Sequence, residues 1–150
     1  MTKRFEQFYM KAQKKGDLYT DRMIVKAFPE IVSQSRLNYW HPGDYISGKG
    51  YRVIVGVAPG WDFLDIKLLD GLDYALSQER FSGYRIDVFD ISDCQRLEDL
   101  HQYIPEPEKA YHTPLVGVWK NGVFQKSLSG YDGRLFLAER FGFVEEFRHP

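Results

Sequence analysis

The sequence predicts an α/β domain, a mixed sheet flanked by helices, with an N-terminal helical extension over residues 1–50. Three observations carry that prediction. Residues 51–103 alternate between short apolar runs and helix-period segments, in the order strand, helix, strand, helix. The run at 51–58 is apolar on both faces, with Val53, Val55 and Val57 on one side and Ile54, Gly56 and Ala58 on the other, so its sheet must be covered twice. Finally, two apolar runs at 115–119 and 123–128 flank Asn121-Gly122. Asn-Gly supplies the two positive-φ positions of a type I′ turn, which makes this segment a β-hairpin.

Taken in order, the chain opens with Phe5, Phe8, Tyr9 and Ala12 at i, i+3, i+4 and i+7, one apolar helical stripe that Gly16 stops. Lys3, Arg4, Lys11, Lys14 and Lys15 make the other faces basic. Such a face is either solvated or docks on an anionic surface. Asp17 or Thr20 can cap a second helix carrying Met23, Ile24, Ala27 and Phe28, which Pro29 ends or restarts. Residues 36–50 show no period and read as a loop whose aromatics, Tyr39, Trp40 and Tyr45, pack on the domain. After the strand at 51–58, Pro59-Gly60 turns the chain and Asp62 caps a helix to about Glu79, with Leu64, Leu68, Leu72 and Leu76 as its spine. Gly71 inside that helix costs about 1 kcal/mol relative to alanine. A strand follows at 84–91. Ser92-Asp93-Cys94-Gln95 has the form of a capping box opening a helix to about Tyr103. Past the hairpin, Asp132 can cap a last helix bearing Leu135, Leu137, Ala138 and Phe141.

Composition narrows the function classes. With 150 residues and 43% hydrophobic content, the chain suits one globular unit with a sizeable core. Twenty basic residues against 21 acidic ones leave no net charge that would favour nucleic acid. A single cysteine rules out an intramolecular disulfide and suits a reducing compartment. No stretch has the roughly 20 apolar residues of a membrane span. The basic N-terminus lacks the apolar run of a secretory signal, so the expectation is a soluble, cytoplasmic protein.

Several short motifs carry a family resemblance. Ala58-Pro59, Trp61, Thr113-Pro114, Lys120-Asn121-Gly122 and Gly130 occur in an order and at a spacing that resemble the thioredoxin-like family across residues 51–142. The resemblance implies that Thr113-Pro114 is cis and closes one side of a groove. It also implies a thioredoxin-like domain over 51–150, with residues 1–50 packed on it.

The departures from that family bear on activity. Aligned on Trp61, the positions of the family's Cys-x-x-Cys fall on Asp62 and Asp65, and Val55 stands where a buried acid is usual. Thiol–disulfide exchange needs a thiolate and a second thiol to resolve the mixed disulfide, and neither is present there. Cys94 shares a helical stripe with Leu97, His101 and Ile104, as a packed structural thiol would. His101 is two turns away, too far to activate it. Asp62 and Asp65 suit the positive end of a helix dipole as caps; alternatively they form a small polar site with His112. The histidines, at 41, 101, 112 and 149, lack metal-ligand spacing. The residue pattern thus provides no catalytic constellation, metal site or cofactor motif.

The expected function is a non-redox thioredoxin-like protein that binds a polypeptide partner in the cis-proline groove, as an assembly or chaperone-like factor. The groove residues are Trp61, Asp62, Asp65, His112, Thr113 and Pro114. Two alternatives stay open: a thiol or peroxide enzyme using Cys94 or a partner's cysteine, and a surface adaptor docking through the basic N-terminal helix.

Overall fold

The computed structural model describes residues 3–13, 17–41, 48–60, 62–94, 96–100, 103–105 and 112–143. Helices α1 (Arg4–Gln13) and α2 (Asp17–Ser33) lead into a two-residue strand, β1 (Asn38–Tyr39). β2 (Tyr51–Val57), α3 (Phe63–Leu76) and β3 (Tyr84–Asp90) come next, then one helical turn, α4 (Leu97–Leu100). The hairpin strands β4 (Leu115–Lys120) and β5 (Val123–Ser129) follow, and α5 (Gly130–Phe141) is the last described helix. One sheet holds all five strands in the order β1-β3-β2-β4-β5. β1 and β2 run parallel to β3, whereas β4 is antiparallel to β2 and β5 to β4. The mixed sheet and the hairpin are as expected, and Asn121 and Gly122 both have positive φ.

β2 is central and both its faces are covered. Val53, Val55 and Val57 pack with Leu68, Leu69 and Leu72 of α3 and with Leu137 and Phe141 of α5. Phe5 of α1 and Phe28 of α2 close the same core, and each such side chain contributes about 1.5–3 kcal/mol by leaving water. On the other face, Ile54 meets Trp40, Phe89, Leu115, Trp119 and Ile104. The site described below sits where β2 leaves this double cover and enters α3.

The N-terminal helices are fastened to α3 by buried carboxylates. Asp70 Oδ1 accepts the Phe5 amide and Oδ2 accepts the Glu6 amide, both at 2.9 Å. These are first-turn donors of α1, which have no partner within their own helix. Asp73 Oδ1 likewise accepts the Arg36 amide at 2.8 Å, holding the turn before β1. The α1 stripe docks as its spacing predicts, with Phe5 and Ala12 buried and Tyr9 against Phe63 at 5.3 Å. Gly16, Lys14 and Lys15 lie outside the described residues.

Several local expectations are corrected. Pro29 does not interrupt α2, which continues to Ser33 with the ring exposed and Phe28 and Val32 buried on either side. Burial of those neighbours outweighs the hydrogen bond that the proline cannot donate. The expected loop over 36–50 contains β1, because Asn38 and Tyr39 pair with Asp87 and Val88. A two-residue parallel strand has no period to read. Tyr39 and Trp40 do pack on the domain, Trp40 being 2% exposed, while Tyr45 lies outside the described residues. α3 ends at Leu76, and its spine is Leu68, Leu69 and Leu72, since Leu64 is 42% exposed.

Two helix starts also differ. Asp90 Oδ1 takes the Ser92 amide at 2.8 Å and closes a 3₁₀ turn over Ile91–Asp93, so Ser92 is already inside a turn and cannot cap a helix. Cys94 is extended, and α4 starts only at Leu97, with the Arg96 amide donating to Asp99 Oδ2. α5 starts directly from Ser129 without a side-chain cap, and Asp132 stands exposed in its first turn. Leu137, Ala138 and Phe141 are buried as expected, and Leu135 is only partly so.

Candidate functional site at the cis-proline turn

β2 ends at Val57 and the buried turn Ala58-Pro59-Gly60 carries the chain toward α3. Asp62 is the N-cap: its Oδ1 accepts the Leu64 and Asp65 amides at 3.0 and 3.3 Å. Asp65 is fully buried and folds back, so that its Oδ2 accepts the Ala58 amide at 2.9 Å. That bond ties the end of β2 to the first turn of α3. Asp65 Oδ1 has no hydrogen-bond partner among the described residues.

The other wall is the turn before β4. The Thr113–Pro114 bond is cis and Pro114 is buried. One donor clamps both sides of this turn: the Gly130 amide lies 3.1 Å from the His112 carbonyl oxygen and 3.0 Å from that of Pro114. The Thr113 hydroxyl donates to Asp62 Oδ2 at 3.4 Å, linking the two walls. The backbone amide and carbonyl of Thr113 have no hydrogen-bond partner among the described residues.

Charge at this site is set mainly by burial. Burial and then the neighbouring Asp62 carboxylate push the Asp65 pKa up to about 7. The Ala58 amide, the Thr113 hydroxyl and Arg134 oppose that rise, and burial wins. Near neutral pH, Asp65 therefore holds its proton much of the time and can donate as well as accept a hydrogen bond. Arg134, in the first turns of α5, has a buried Nε with no hydrogen-bond partner among the described residues.

Four of the sequence-predicted site residues are thus brought together: Asp62, Asp65, Thr113 and Pro114. His112 is next in the chain and exposed, and no contact joins its ring to either carboxylate among the described residues. Trp61 lies outside the described residues. No cluster of three potential metal ligands occurs among them. Sequence reasoning missed Gly130 as the clamp and Arg134 as the cation acting on Asp65. Gly130 is marked in the sequence only as a family-motif glycine, and neither role has a local signal, since α5 reaches this site only through the hairpin.

Cys94 stands apart from a helix N-terminus, half-buried beside the second core cluster. Burial, followed by the charges of Asp93, Asp99 and Asp90, pushes its thiol up to about 11. A thiolate is therefore disfavoured at neutral pH.

The strand order, the three parallel strands, the antiparallel hairpin and the cis-proline before β4 define a thioredoxin-like fold, here with a single cysteine and therefore no Cys-x-x-Cys pair. Among solved structures, the chain is similar to one described as the structural basis of the thiol resolving mechanism in yeast mitochondrial 1-Cys peroxiredoxin. That match has 14% identity and a TM-score of 0.47, over 65% of this chain and 81% of the other. It is also similar to ERdj5, at 17% identity over 77% of this chain in crystal form II and 18% over 83% in form I, each with a TM-score of 0.47. The chain spans only 14% and 15% of those two ERdj5 chains. No family model and no curated protein sequence matches. No helix among the described residues is long and apolar enough to cross a membrane.

Proposed function

We propose that this is a non-redox thioredoxin-fold protein that binds an extended polypeptide at the cis-proline turn, as an assembly or chaperone-like factor. The observation that supports this most is that the backbone of Thr113, between two carbonyls clamped by Gly130, has no partner among the described residues. A turn whose amide and carbonyl are unpaired among the described residues suits a ligand that pairs by its own backbone, as in strand addition. Asp62 at the rim favours a basic residue in that ligand. Asp65 beneath it has a spare oxygen able to donate or accept. In this reading Trp61 and His112 border the bound chain.

The test is recovery of partners by a tagged chain, with bound proteins identified by mass spectrometry. Thr113→Arg fills the turn without touching the core, and Trp61→Ala removes the aromatic border. Folded variants that lose a partner retained by Cys94→Ser support the reading. Variants that keep every wild-type partner refute it.

A further inference from the structure

The end of the sheet opposite the cis-proline turn holds a cavity of about 280 Å³, where β2 and β3 begin. Lys49, Arg52 and Arg85 line it together with Ser82, and no carboxylate lines it among the described residues. Much of the remaining wall is glycine, at 48, 50, 83 and 122, which puts no side chain into the space at those positions. The two arginines are held in place. Asp87, buried behind them, accepts Arg52 Nε at 2.6 Å and Arg85 Nε at 3.2 Å, which fixes how each guanidinium is turned. Among the described residues, three lining cations stand against this one carboxylate. Lys120 and Arg140 each stand 5.5 Å from the centre of the Tyr51 ring.

Gly50, next to Lys49, is tied to the hairpin before any ligand arrives. Gly48 and Gly50 have φ of +98° and +96°, which side chains rarely adopt. The Gly50 amide donates to Asn121 Oδ1 at 2.8 Å, and the Asn121 amide donates to the Gly50 carbonyl at 2.9 Å. The hairpin turn therefore holds the loop, and the Tyr51 amide on the Gly83 carbonyl holds the facing wall at 3.2 Å.

Size and chemistry restrict the ligand. The volume is at the small end of the roughly 300–1,000 Å³ usual for ligand sites. Nor is an aromatic face left for a nucleobase at Tyr51. One side of that ring stacks on Tyr84 at 5.0 Å, and the two cations occupy positions over it. We propose that this cavity binds a small phosphate monoester, with Lys49 and Arg85 as its charged contacts and Ser82 and the glycine peptide groups as neutral ones. Guanidinium groups match phosphate oxygens in pairs, and preset backbone amides bind anions without reorganisation.

The experiment titrates the 150-residue chain with glycerol phosphate at physiological salt, following backbone amide resonances. Saturable shifts are expected at Gly48, Gly50 and Gly83. Lys49→Ala with Arg85→Ala, confirmed as folded by its amide spectrum, should weaken binding about tenfold or more, because two charge-assisted contacts go. Lys49→Glu alone, at an exposed position, should weaken it as well. A parallel arm uses phosphatidylcholine vesicles with and without phosphatidylinositol phosphate. Cosedimentation only with the phosphorylated lipid, lost in the double variant, assigns the phosphate to a headgroup; glycerol phosphate binding without it assigns a soluble ligand. Absence of saturable binding to both probes, or affinity unchanged in the folded double variant, overturns the proposal.

Discussion

The Asp70 carboxylate accepts the Phe5 amide at 2.9 Å, across 65 positions of sequence, and thereby caps α1 from the middle of α3. Its second oxygen does the same for Glu6. The N-terminal helix is thus joined to the domain by a buried, specific bond as well as by its apolar stripe.

Asp70→Ala should consequently destabilise the protein by about 2–3 kcal/mol, since it leaves two first-turn amides without their acceptors. Asp70→Asn keeps one acceptor and should lose less. Urea unfolding measures the loss, and amide exchange at Phe5 and Glu6 locates it. An alanine variant within about 0.5 kcal/mol of wild type would show that the stripe alone holds α1.

Cys94 should react slowly with a disulfide reagent in native protein and fast in denaturant. With the thiol pushed up to about 11, thiolate at mildly alkaline pH is roughly two orders of magnitude scarcer than for a free cysteine near 8.5. Rapid native labelling would instead favour thiol chemistry, and dithiol-driven insulin reduction abolished by Cys94→Ser would establish it.

Legibility in the sequence followed the range of the interactions. The hairpin was readable because Asn121-Gly122 and its flanking runs are local, and Asp62 was readable as a cap because the amides that donate to it are two and three residues on. β1 was not readable, because Asn38 and Tyr39 become a strand only by pairing with Asp87 and Val88. The same holds at the candidate site. Asp62, Asp65, Thr113 and Pro114 are marked by local pattern and family resemblance. That Gly130 clamps the turn and that Arg134 acts on Asp65 depends on where the hairpin delivers α5. The α3 carboxylates at 70 and 73 carry no local signal of their roles, which exist only once α1 and the β1 turn are docked.

Gly71 illustrates a local cost with a distant cause. A β-carbon there would stand 2.8 Å from the Phe143 ring, which packs on the main core just beyond α5. Gly71→Ala gains about 1 kcal/mol in helix propensity but must displace that ring, at a cost of about 1–3 kcal/mol. Net destabilisation is expected by thermal or urea unfolding. Gly71→Ala combined with Phe143→Leu should recover part of the loss relative to the two single effects added together. Strict additivity would mean that the two positions do not meet.

Stability should fall as pH rises from about 4 to about 7. Asp65 is pushed up to about 7 and Asp70 to about 6, in both cases chiefly by burial, and Asp90 is raised for the same reason. A carboxyl group with a raised folded-state pKa binds its proton more tightly folded than unfolded. Its contribution is therefore fully present below the unfolded value of about 3.9 and is lost as pH climbs through the folded one. Asp65→Asn removes the group that titrates highest and keeps an oxygen for the Ala58 amide. The variant should show a shallower decline between pH 5 and 8 and be at least as stable as wild type at the upper end. Urea midpoints collected across that range decide the matter. A wild-type curve that rises with pH, or an Asp65→Asn curve parallel to it, would mean that Asp65 is charged and satisfied in the folded protein, with Arg134 and Thr113 outweighing burial.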